Sequence, residues 1–230
     1  MAVRSATQRD RDAVLALGVA EEAAWFGEAE LSAEEIGEWI DEGELMTFAG
    51  DLARVTAFER HGLRLRRSAF SMVRSDTARP VPAAVFPDGV EVARYGLGDG
   101  DEAVHRLIYV DAAWASVPGH GERDLEAWRK KERQCRSMFL ACRGGRPAGW
   151  VAGRVLDGGR GYITTLAVAA SERGRGLGRG LLLHAFADLQ QAGARELTLA
   201  VEAENETALG LYRSVGLEVE REWQIYATAR

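Results

Sequence analysis

Hydrophobic positions along the chain follow two periods, and the switches between them predict where strands and helices lie. From residue 90 onward the pattern predicts a strand, two helices, three strands, a helix, a strand, a helix and a terminal strand, in that order. Their predicted bounds are 90–95, 101–114, 124–133, 137–142, 150–156, 162–168, 178–191, 196–201, a helix capped by Asn205 and stopped by Gly216, and 217–228. Strands and helices therefore interleave, as they do in α/β proteins.

The stretch 74–87 interrupts this pattern. It holds three prolines and little apolar periodicity, so it predicts a linker between two parts of the chain. The predicted organisation is an N-terminal part over residues 1–80, a linker over 81–88 and a larger domain over 89–230.

Composition and charge exclude several classes of function. The chain has 230 residues, 47% of them hydrophobic, and a formal net charge of -6, which argues against general nucleic-acid binding because that needs a positively charged surface. No apolar run reaches the roughly 18 residues of a membrane span, and the first residues lack the apolar core of a signal peptide. Cys135 and Cys142 are the only cysteines, and no cluster has metal-ligand spacing. We therefore expect a cytoplasmic protein with no metal, nucleic-acid or membrane partner.

Residues 173–178 read RGRGLG and lie between a predicted strand and a predicted helix. Glycine lets backbone N–H groups approach a ligand closely, and guanidinium groups suit phosphate, so the segment predicts a phosphate-binding turn. A nucleoside-triphosphate P-loop needs a lysine followed by Ser or Thr after its second glycine, and the segment has neither. A dinucleotide-binding fingerprint needs a third glycine where this chain has Arg179 or Leu181. The remaining pattern, Arg-x-x-Gly-x-Gly at a helix N-terminus, predicts binding of an anion such as a pyrophosphate.

At this turn the sequence resembles the GNAT acetyltransferases, whose signature here is Arg or Gln, two residues, Gly, one residue, then Gly or Ala. The resemblance runs from YITTLAVAASERGRGLGRGLL to LAVEAENETALGLYRSVGL and covers roughly residues 88–230. Within the family it looks closest to tandem, mycothiol-synthase-like members, which EAVHRLIYVDAAWASVPGHGERDLEAW also resembles. The resemblance implies a GNAT fold, with a mixed central sheet flanked by helices, preceded by a truncated GNAT-like N-terminal half.

The same resemblance implies an activity. It is the transfer of an acetyl group from acetyl-CoA to a primary amine of a small molecule or peptide, by direct attack in a ternary complex. A monomer or a homodimer is expected.

The resemblance also implies a set of acetyl-CoA contacts. The backbone of Leu166, Ala167 and Val168 is expected to pair with the pantetheine arm as an added strand would, and an N–H of that strand to support the thioester oxygen. The pyrophosphate is expected to lie on the turn formed by Arg173, Gly174, Arg175, Gly176, Leu177, Gly178 and Arg179. Asn205 is the matching position for a further cofactor contact, although Asn is equally suited to be a plain helix N-cap.

Tyr212 is the candidate general acid. Its position matches the family's tyrosine, and a phenol with a pKa near ~10 stays protonated at neutral pH, ready to donate to the departing thiolate. The alternative is a half-buried aromatic on the apolar face of its helix. Many family members carry a Glu near the strand before the turn, but residues 162–169 contain no carboxylate. The candidate bases are therefore a bound water, His120 or Glu122, with a solvated loop histidine as the alternative for His120.

Short matches between the two parts of the chain predict an internal duplication. Ala13-Val14-x-x-Leu17 recurs as Ala103-Val104-x-x-Leu107, and FERHGLRLRR at 58–67 matches YRSVGLEVER at 212–221. The N-terminal part would be a second copy without its cofactor core, and chance similarity is the alternative. The missing carboxylate and the reduced first half leave a second function open, a non-catalytic acyl-CoA-binding sensor or interaction module. Tyr212 favours the enzyme, because a sensor needs no proton donor.

Overall fold

The computed structural model describes residues 44–60, 62–75, 80–113 and 121–228, together with the single positions 9, 12 and 116. The strands are β1 (Glu44–Phe48), β2 (Leu63–Arg74), β3 (Val90–Arg94), β4 (Ser137–Arg143), β5 (Arg146–Leu156), β6 (Arg160–Val168), β7 (Glu196–Glu202) and β8 (Glu218–Thr228). The α-helices are α1 (Leu52–Arg60), α2 (Asp101–Arg106), α3 (Leu125–Glu132), α4 (Leu177–Gln191) and α5 (Glu206–Ser214). None of these described helices is long and apolar enough to cross a membrane.

The predicted order of elements from residue 90 onward is confirmed, and most bounds agree within a few residues. The clearest difference lies in the helix predicted over 101–114. It is α-helical only as far as Arg106 and continues as a π-helical turn over Leu107–Asp111, where the Ala112 N–H bonds to the Leu107 carbonyl at 2.8 Å. Such widened turns are rare, and those that occur lie frequently at functional sites. Periodicity does not reveal one, because a single wide turn barely changes the apolar spacing.

The chain divides into two compact units, and each is described by itself. The first unit comprises Met1–Ser71, Leu156–Gly158 and Val219–Arg230, and the second comprises Met72–Val155 and Gly159–Glu218. The division predicted from the sequence, into residues 1–80, 81–88 and 89–230, remains a prediction.

The second unit is built on a mixed sheet. Its strands follow the order β7-β6-β5-β4-β3, and the last residues of β2 lie beside β7. β3 pairs with β4 and β4 with β5 in antiparallel registers, for example Ala93 with Leu140 and Phe139 with Val151. β6 and β7 are parallel. The mixed sheet expected from the sequence is therefore confirmed.

Helix α4 covers one face of this sheet, because glycines in β5 let it approach closely. A Cβ placed at Gly149 would lie 2.7 Å from Leu181, and one at Gly153 would lie 3.3 Å from Leu189. The buried apolar side chains of the helix are Leu177, Leu181, Leu182, Leu183, Ala185, Phe186 and Leu189. Each fully buried Leu or Phe contributes about 1.5–3 kcal/mol, so this packing strongly stabilises α4 on the sheet.

Helices α2 and α3 and the π-helical turn pack on the opposite face. Trp150 and Ala152 alternate along β5 with Gly149 and Gly153, so they point away from α4. The apolar cluster that they join includes Val104, Leu107, Ile108, Tyr109, Trp128, Cys135, Met138 and Ala167. Helices therefore flank this mixed sheet on both faces, as expected.

The described part of the first unit contains a β-α-β segment with β8 between its two strands. The strand order is β1-β8-β2, and β1 pairs with β8 in an antiparallel register that places Met46 opposite Ile225. Ser68 on β2 donates a hydrogen bond to Glu222 on β8, with an Oγ to Oε1 distance of 2.9 Å. Residues 68 and 222 are 154 positions apart in the chain, which is the offset of the longer sequence match.

The β1-α1-β2 segment repeats the local structure of β7-α5-β8 at this offset. Asp51 Oδ1 accepts a hydrogen bond at 3.1 Å from the N–H three residues on, and Asn205 Oδ1 does the same at 3.1 Å. Both helices have 9 residues, and each is followed by a glycine with positive φ, +81° at Gly62 and +87° at Gly216. The two segments therefore share their N-caps, helix lengths and terminal turns.

Candidate active site

β6 and β7 lie side by side for only part of their length. Their parallel register ends at Ile163 opposite Leu199, whereas β6 continues to Val168 and β7 to Glu202. The carboxyl ends of the two strands therefore separate, and the backbone of residues 166–168 borders the opening. Ligands in open α/β sheets bind outside the carboxyl ends of the strands, and an unpaired strand edge offers N–H and C=O groups to an extended ligand.

The separation coincides with an irregularity in β6. Thr164 Oγ1 lies 3.4 Å from the Cys135 sulfur, and Thr165 Oγ1 donates to Glu132 Oε1 at 3.4 Å. Two consecutive side chains thus approach the same segment, at the end of α3, although regular alternation would send them to opposite faces. An irregularity of this kind bends a strand and interrupts its pairing, and these two residues directly follow Ile163, the last residue of β6 that pairs with β7.

The glycine-rich turn after β6 needs glycine at two positions. Gly174 and Gly176 have φ values of +73° and +84°, a region that other residues adopt only with strain. Gly176 is the N-cap of α4, and the first helical hydrogen bond runs from the Gly180 N–H to its carbonyl at 3.0 Å. Within the described part of the chain, the N–H groups of residues 174–179 have no backbone acceptor. Exposed N–H groups at a helix N-terminus form a site for an anion such as a phosphate.

The three arginines of this turn differ in their surroundings. Arg173 donates to the carbonyl oxygens of Val168, at 3.2 Å, and of Ala112, at 2.8 Å, so it joins the turn to the end of β6 and to the end of the π-helical turn. Arg175 lies 3.8 Å from a glutamate three residues earlier. Arg179 is exposed and makes no ion pair or side-chain hydrogen bond with any residue that the structure describes. Of the three, Arg179 is best placed to approach a ligand.

Helix α5, which carries Tyr212, lies beside the same turn. A Cβ placed at Gly178 would lie 3.5 Å from both Leu211 and Val168, so α5 packs next to the start of α4. Tyr212 is half-buried, and burial raises the pKa of its phenol to about 12. No described residue hydrogen-bonds to its hydroxyl. The hydroxyl therefore keeps its proton at neutral pH and can donate it to a ligand.

Three predicted site residues remain to be located, namely Asn205, His120 and Glu122. Asn205 caps α5 through its side-chain oxygen, so the capping role considered for it is confirmed, while a cofactor contact from its amide nitrogen remains a prediction. His120 lies outside the described residues. Glu122 is exposed on the segment that precedes α3.

The structure reveals a buried carboxylate that the sequence analysis missed. Glu132, the last residue of α3, is 1% exposed. Its Oε1 accepts a hydrogen bond from Thr165, and its Oε2 has no hydrogen-bond partner among the described residues. Burial raises the pKa of its carboxyl to about 7. The sequence does contain a signal that could have indicated this buried carboxylate. Glu132 follows Trp128 by four residues, so both lie on the apolar face of the predicted helix, where a carboxylate is unexpected.

The separated strands β6 and β7 and the glycine-rich N-terminus of α4 all lie within one stretch of the chain that matches a known protein family. Residues 105–217 match the model of the Acetyltransferase (GNAT) family. The chain therefore contains a GNAT acetyltransferase domain, as the sequence pattern led us to expect.

Individual relatives agree with this assignment. The chain is 31% identical over 161 residues to the mycothiol acetyltransferase of Thermobispora bispora, in an alignment that covers 66% of this chain and 54% of that relative. The chain thus spans about half to two thirds of the length of the curated relatives it matches.

Two solved structures share the fold. A GCN5-related N-acetyltransferase from Sphaerobacter thermophilus superposes with a TM-score of 0.69 at 21% identity, covering 97% of this chain and 93% of the other. A tandem GNAT protein from the clavulanic acid biosynthesis pathway superposes with a TM-score of 0.64 at 16% identity, covering 84% of this chain and 66% of the other. At such low identity these two likenesses show the fold alone.

Proposed function

We propose that this chain transfers an acetyl group from acetyl-CoA to a primary amine of a small molecule or peptide, by direct attack of the amine in a ternary complex. The observation that carries the proposal is the separation of β6 from β7 beyond Ile163 and Leu199, close to the N-terminus of α4. Acetyl-CoA, when bound, supplies a thioester whose carbonyl carbon accepts a nucleophile and whose thiolate can leave.

The residues around this opening suit the two ends of acetyl-CoA. The N–H groups of residues 174–179 and the exposed guanidinium of Arg179 suit its pyrophosphate. The backbone of residues 166–168 suits its pantetheine arm, whose amides can pair with a strand edge as a peptide does. One N–H of that strand can donate to the thioester oxygen as negative charge develops there. The amide nitrogen of Asn205 is not used in capping α5 and can donate to the same ligand.

Tyr212 is the proton donor to the departing thiolate in this proposal. Its raised pKa keeps the phenol protonated, and its hydroxyl has no competing acceptor among the described residues. The repeated segment supports a chemical role, because Phe58 occupies the equivalent position of α1. The aromatic ring recurs there and the hydroxyl does not, so the β-α-β segment folds without the hydroxyl.

The same repeat supports a degenerate duplication as the origin of the N-terminal part. β1, α1 and β2 correspond to β7, α5 and β8 in order, capping and terminal turns. No segment before residue 80 carries an Arg-x-x-Gly-x-Gly turn, so acetyl-CoA is assigned to the second copy alone. For the acceptor, the name of the curated relatives, mycothiol acetyltransferase, supports a small molecule.

Calorimetric titration with acetyl-CoA and with free CoA tests the first half of this proposal. The second half is tested by following CoA release and product mass with glucosamine, benzylamine and a hexapeptide with a free N-terminus as acceptors. One-site binding with amine-dependent release of CoA supports an acetyltransferase. Binding without any amine-dependent release would leave an acyl-CoA-binding module, and no binding at all would refute the proposal.

A further inference from the structure

The buried carboxylate of Glu132 lies where the opening between β6 and β7 begins. Its hydrogen-bond donor, Thr165, is the second residue of β6 beyond the last pair with β7. It is also the residue immediately before 166–168, the strand edge assigned to the pantetheine arm. Thr165 is itself only 7% exposed. A hydroxyl and a carboxylate thus form a short chain from the strand edge into the interior.

Three buried polar atoms of this face lack partners in the described structure. They are Glu132 Oε2, the Nε1 of Trp128, which lies one helical turn before Glu132, and the Nε1 of Trp150 on β5. The two indole rings are neighbours, with centroids 6.1 Å apart. An unpaired buried donor or acceptor costs about 1–3 kcal/mol, so native proteins rarely keep several together without a use. These three atoms can therefore form hydrogen bonds with a polar group of a bound ligand.

We infer that Glu132 is the terminal proton acceptor for the attacking amine and is reached through the hydroxyl of Thr165. This inference rests on the proposed function and supplies the base that no carboxylate of β6 provides. Thr165 faces the reacting nitrogen, and Glu132 acts through Thr165.

The proposed step balances as follows. The amine nitrogen forms a bond to the thioester carbonyl carbon, the carbon–sulfur bond breaks, and the departing sulfur takes the proton of Tyr212. The proton lost by the nitrogen passes to Thr165 Oγ1 while the hydroxyl proton of Thr165 passes to Glu132 Oε1. After the product leaves, the proton passes from Glu132 back through the Thr165 hydroxyl to solvent, and Tyr212 regains a proton from solvent, which restores the starting state.

The surroundings of Glu132 suit a proton acceptor near neutral pH. Burial raises its pKa to about 7. The positive charge of Lys131, hydrogen bonds from Cys135 and Thr165, and the positive charge of Arg123 oppose that rise only in part. Tyr109 of the π-helical turn and the Cys135 thiol also face it, and burial raises the pKa of both groups, so both stay neutral there. A base is most effective when its pKa lies near the working pH.

Glu202 is the competing candidate, because it is also buried and ends β7 on the other side of the opening. Both glutamates have an interaction partner within the structure, but of the two only Glu132 also has a buried carboxylate oxygen without a hydrogen-bond partner among the described residues. Its conservative variant E202Q therefore belongs in the test.

The experiment compares the parent with E132Q, T165V, T165S and E202Q, using E126Q as the matched control. Glu126 lies on the same helix, with its side chain 71% exposed. For each protein, kcat and kcat/KM are measured from pH 5.5 to 9.5 with the amine that the parent acetylates best. Acetyl-CoA Kd is measured by calorimetry and folding by circular dichroism.

We expect E132Q and T165V to lower kcat by roughly 10²-fold or more, the usual effect of losing positioned proton transfer. The kcat of the parent should rise with pH around pH 7. This rising limb of the pH profile should flatten in E132Q. The acetyl-CoA Kd of E132Q should stay within about twofold of the parent value. T165S, E202Q and E126Q should keep the limb. If Glu132 had only a structural role, an E132Q variant that folds and binds acetyl-CoA would keep the rising limb of its pH profile.

Two results overturn the inference while leaving the proposed function intact. One is an E132Q profile that overlays the parent's, and the other is a limb lost in E202Q and kept in E132Q. If E132Q fails to fold, T165V decides, because valine keeps the shape of threonine without its hydroxyl. A parent that binds acetyl-CoA and acetylates no amine at any pH defeats the proposed function itself.

Discussion

The guanidinium group of Arg173 donates a hydrogen bond to the carbonyl oxygen of Ala112 at 2.8 Å, across 61 positions of the chain. A second hydrogen bond, to the Val168 carbonyl at 3.2 Å, fixes the same side chain to the end of β6. The arginine of the family signature thus joins the π-helical turn to the strand beside the opening. Its hydrogen-bonding nitrogens are directed at protein carbonyls, and those of Arg179 are not.

Substitution of these two arginines should therefore have different effects. We expect R179A to weaken acetyl-CoA binding about five- to tenfold, more at low salt than at high salt, because a phosphate loses a charged partner. R173A should lower the free energy of unfolding by about 1 kcal/mol through its lost hydrogen bonds and change acetyl-CoA Kd less than twofold. Calorimetry at two salt concentrations and urea unfolding measure both quantities. Equal losses of affinity in the two variants would contradict the distinction.

The glycine at the N-cap of α4 offers a test with an internal control. Gly176 and Gly193 flank the two ends of the helix, both have positive φ, and a Cβ at either would meet no atom within 4 Å. G176E and G193E therefore introduce the same charge and comparable backbone strain, about 1–2 kcal/mol each. We expect G176E to abolish measurable acetyl-CoA binding, because its carboxylate would face the pyrophosphate, and G193E to retain it. Retained affinity in G176E would rule out the turn as the phosphate site.

Removal of one hydroxyl should separate binding from turnover. Y212F is expected to lower kcat by roughly 10²-fold or more, with unchanged acetyl-CoA Kd and unchanged stability, since Phe58 occupies the equivalent position of α1. Steady-state kinetics with the best amine, calorimetry and thermal unfolding give the three values. Full activity in Y212F would remove the phenol from the mechanism.

The elements that build the site could be predicted from the sequence because they follow local rules. Helix α4 was expected over 178–191 and spans Leu177–Gln191, since glycines precede its apolar face and a glycine follows it. Asn205 was expected as an N-cap and is one. Both signals lie within a few residues of the structure that they specify.

The contacts that tune the site could not be predicted in this way. Arg173 was expected at a phosphate, but its partners are carbonyls fixed by the distant π-helical turn. The sequence analysis assigned no role to Glu132, whose burial and whose hydrogen bond from Thr165, 33 residues later, are visible only in the folded chain. These properties depend on packing between residues that are distant in the sequence, which neither periodicity nor motif spacing encodes.

Glu132 should also make stability depend on pH in a defined direction. Its pKa rises from an ordinary value of 4.5 to about 7 on burial, so between these values the folded protein holds a proton that the unfolded chain has released. The free energy of unfolding should therefore decrease as pH rises from about 4.5 to 7, by up to roughly 3 kcal/mol from this group. E132Q lacks the ionisation, so it should gain stability relative to the parent between pH 5 and pH 8. Urea unfolding of the parent, E132Q and the control E126Q at both pH values measures this gain. If the difference in the free energy of unfolding between E132Q and the parent stayed constant with pH, the carboxyl would not titrate in this range.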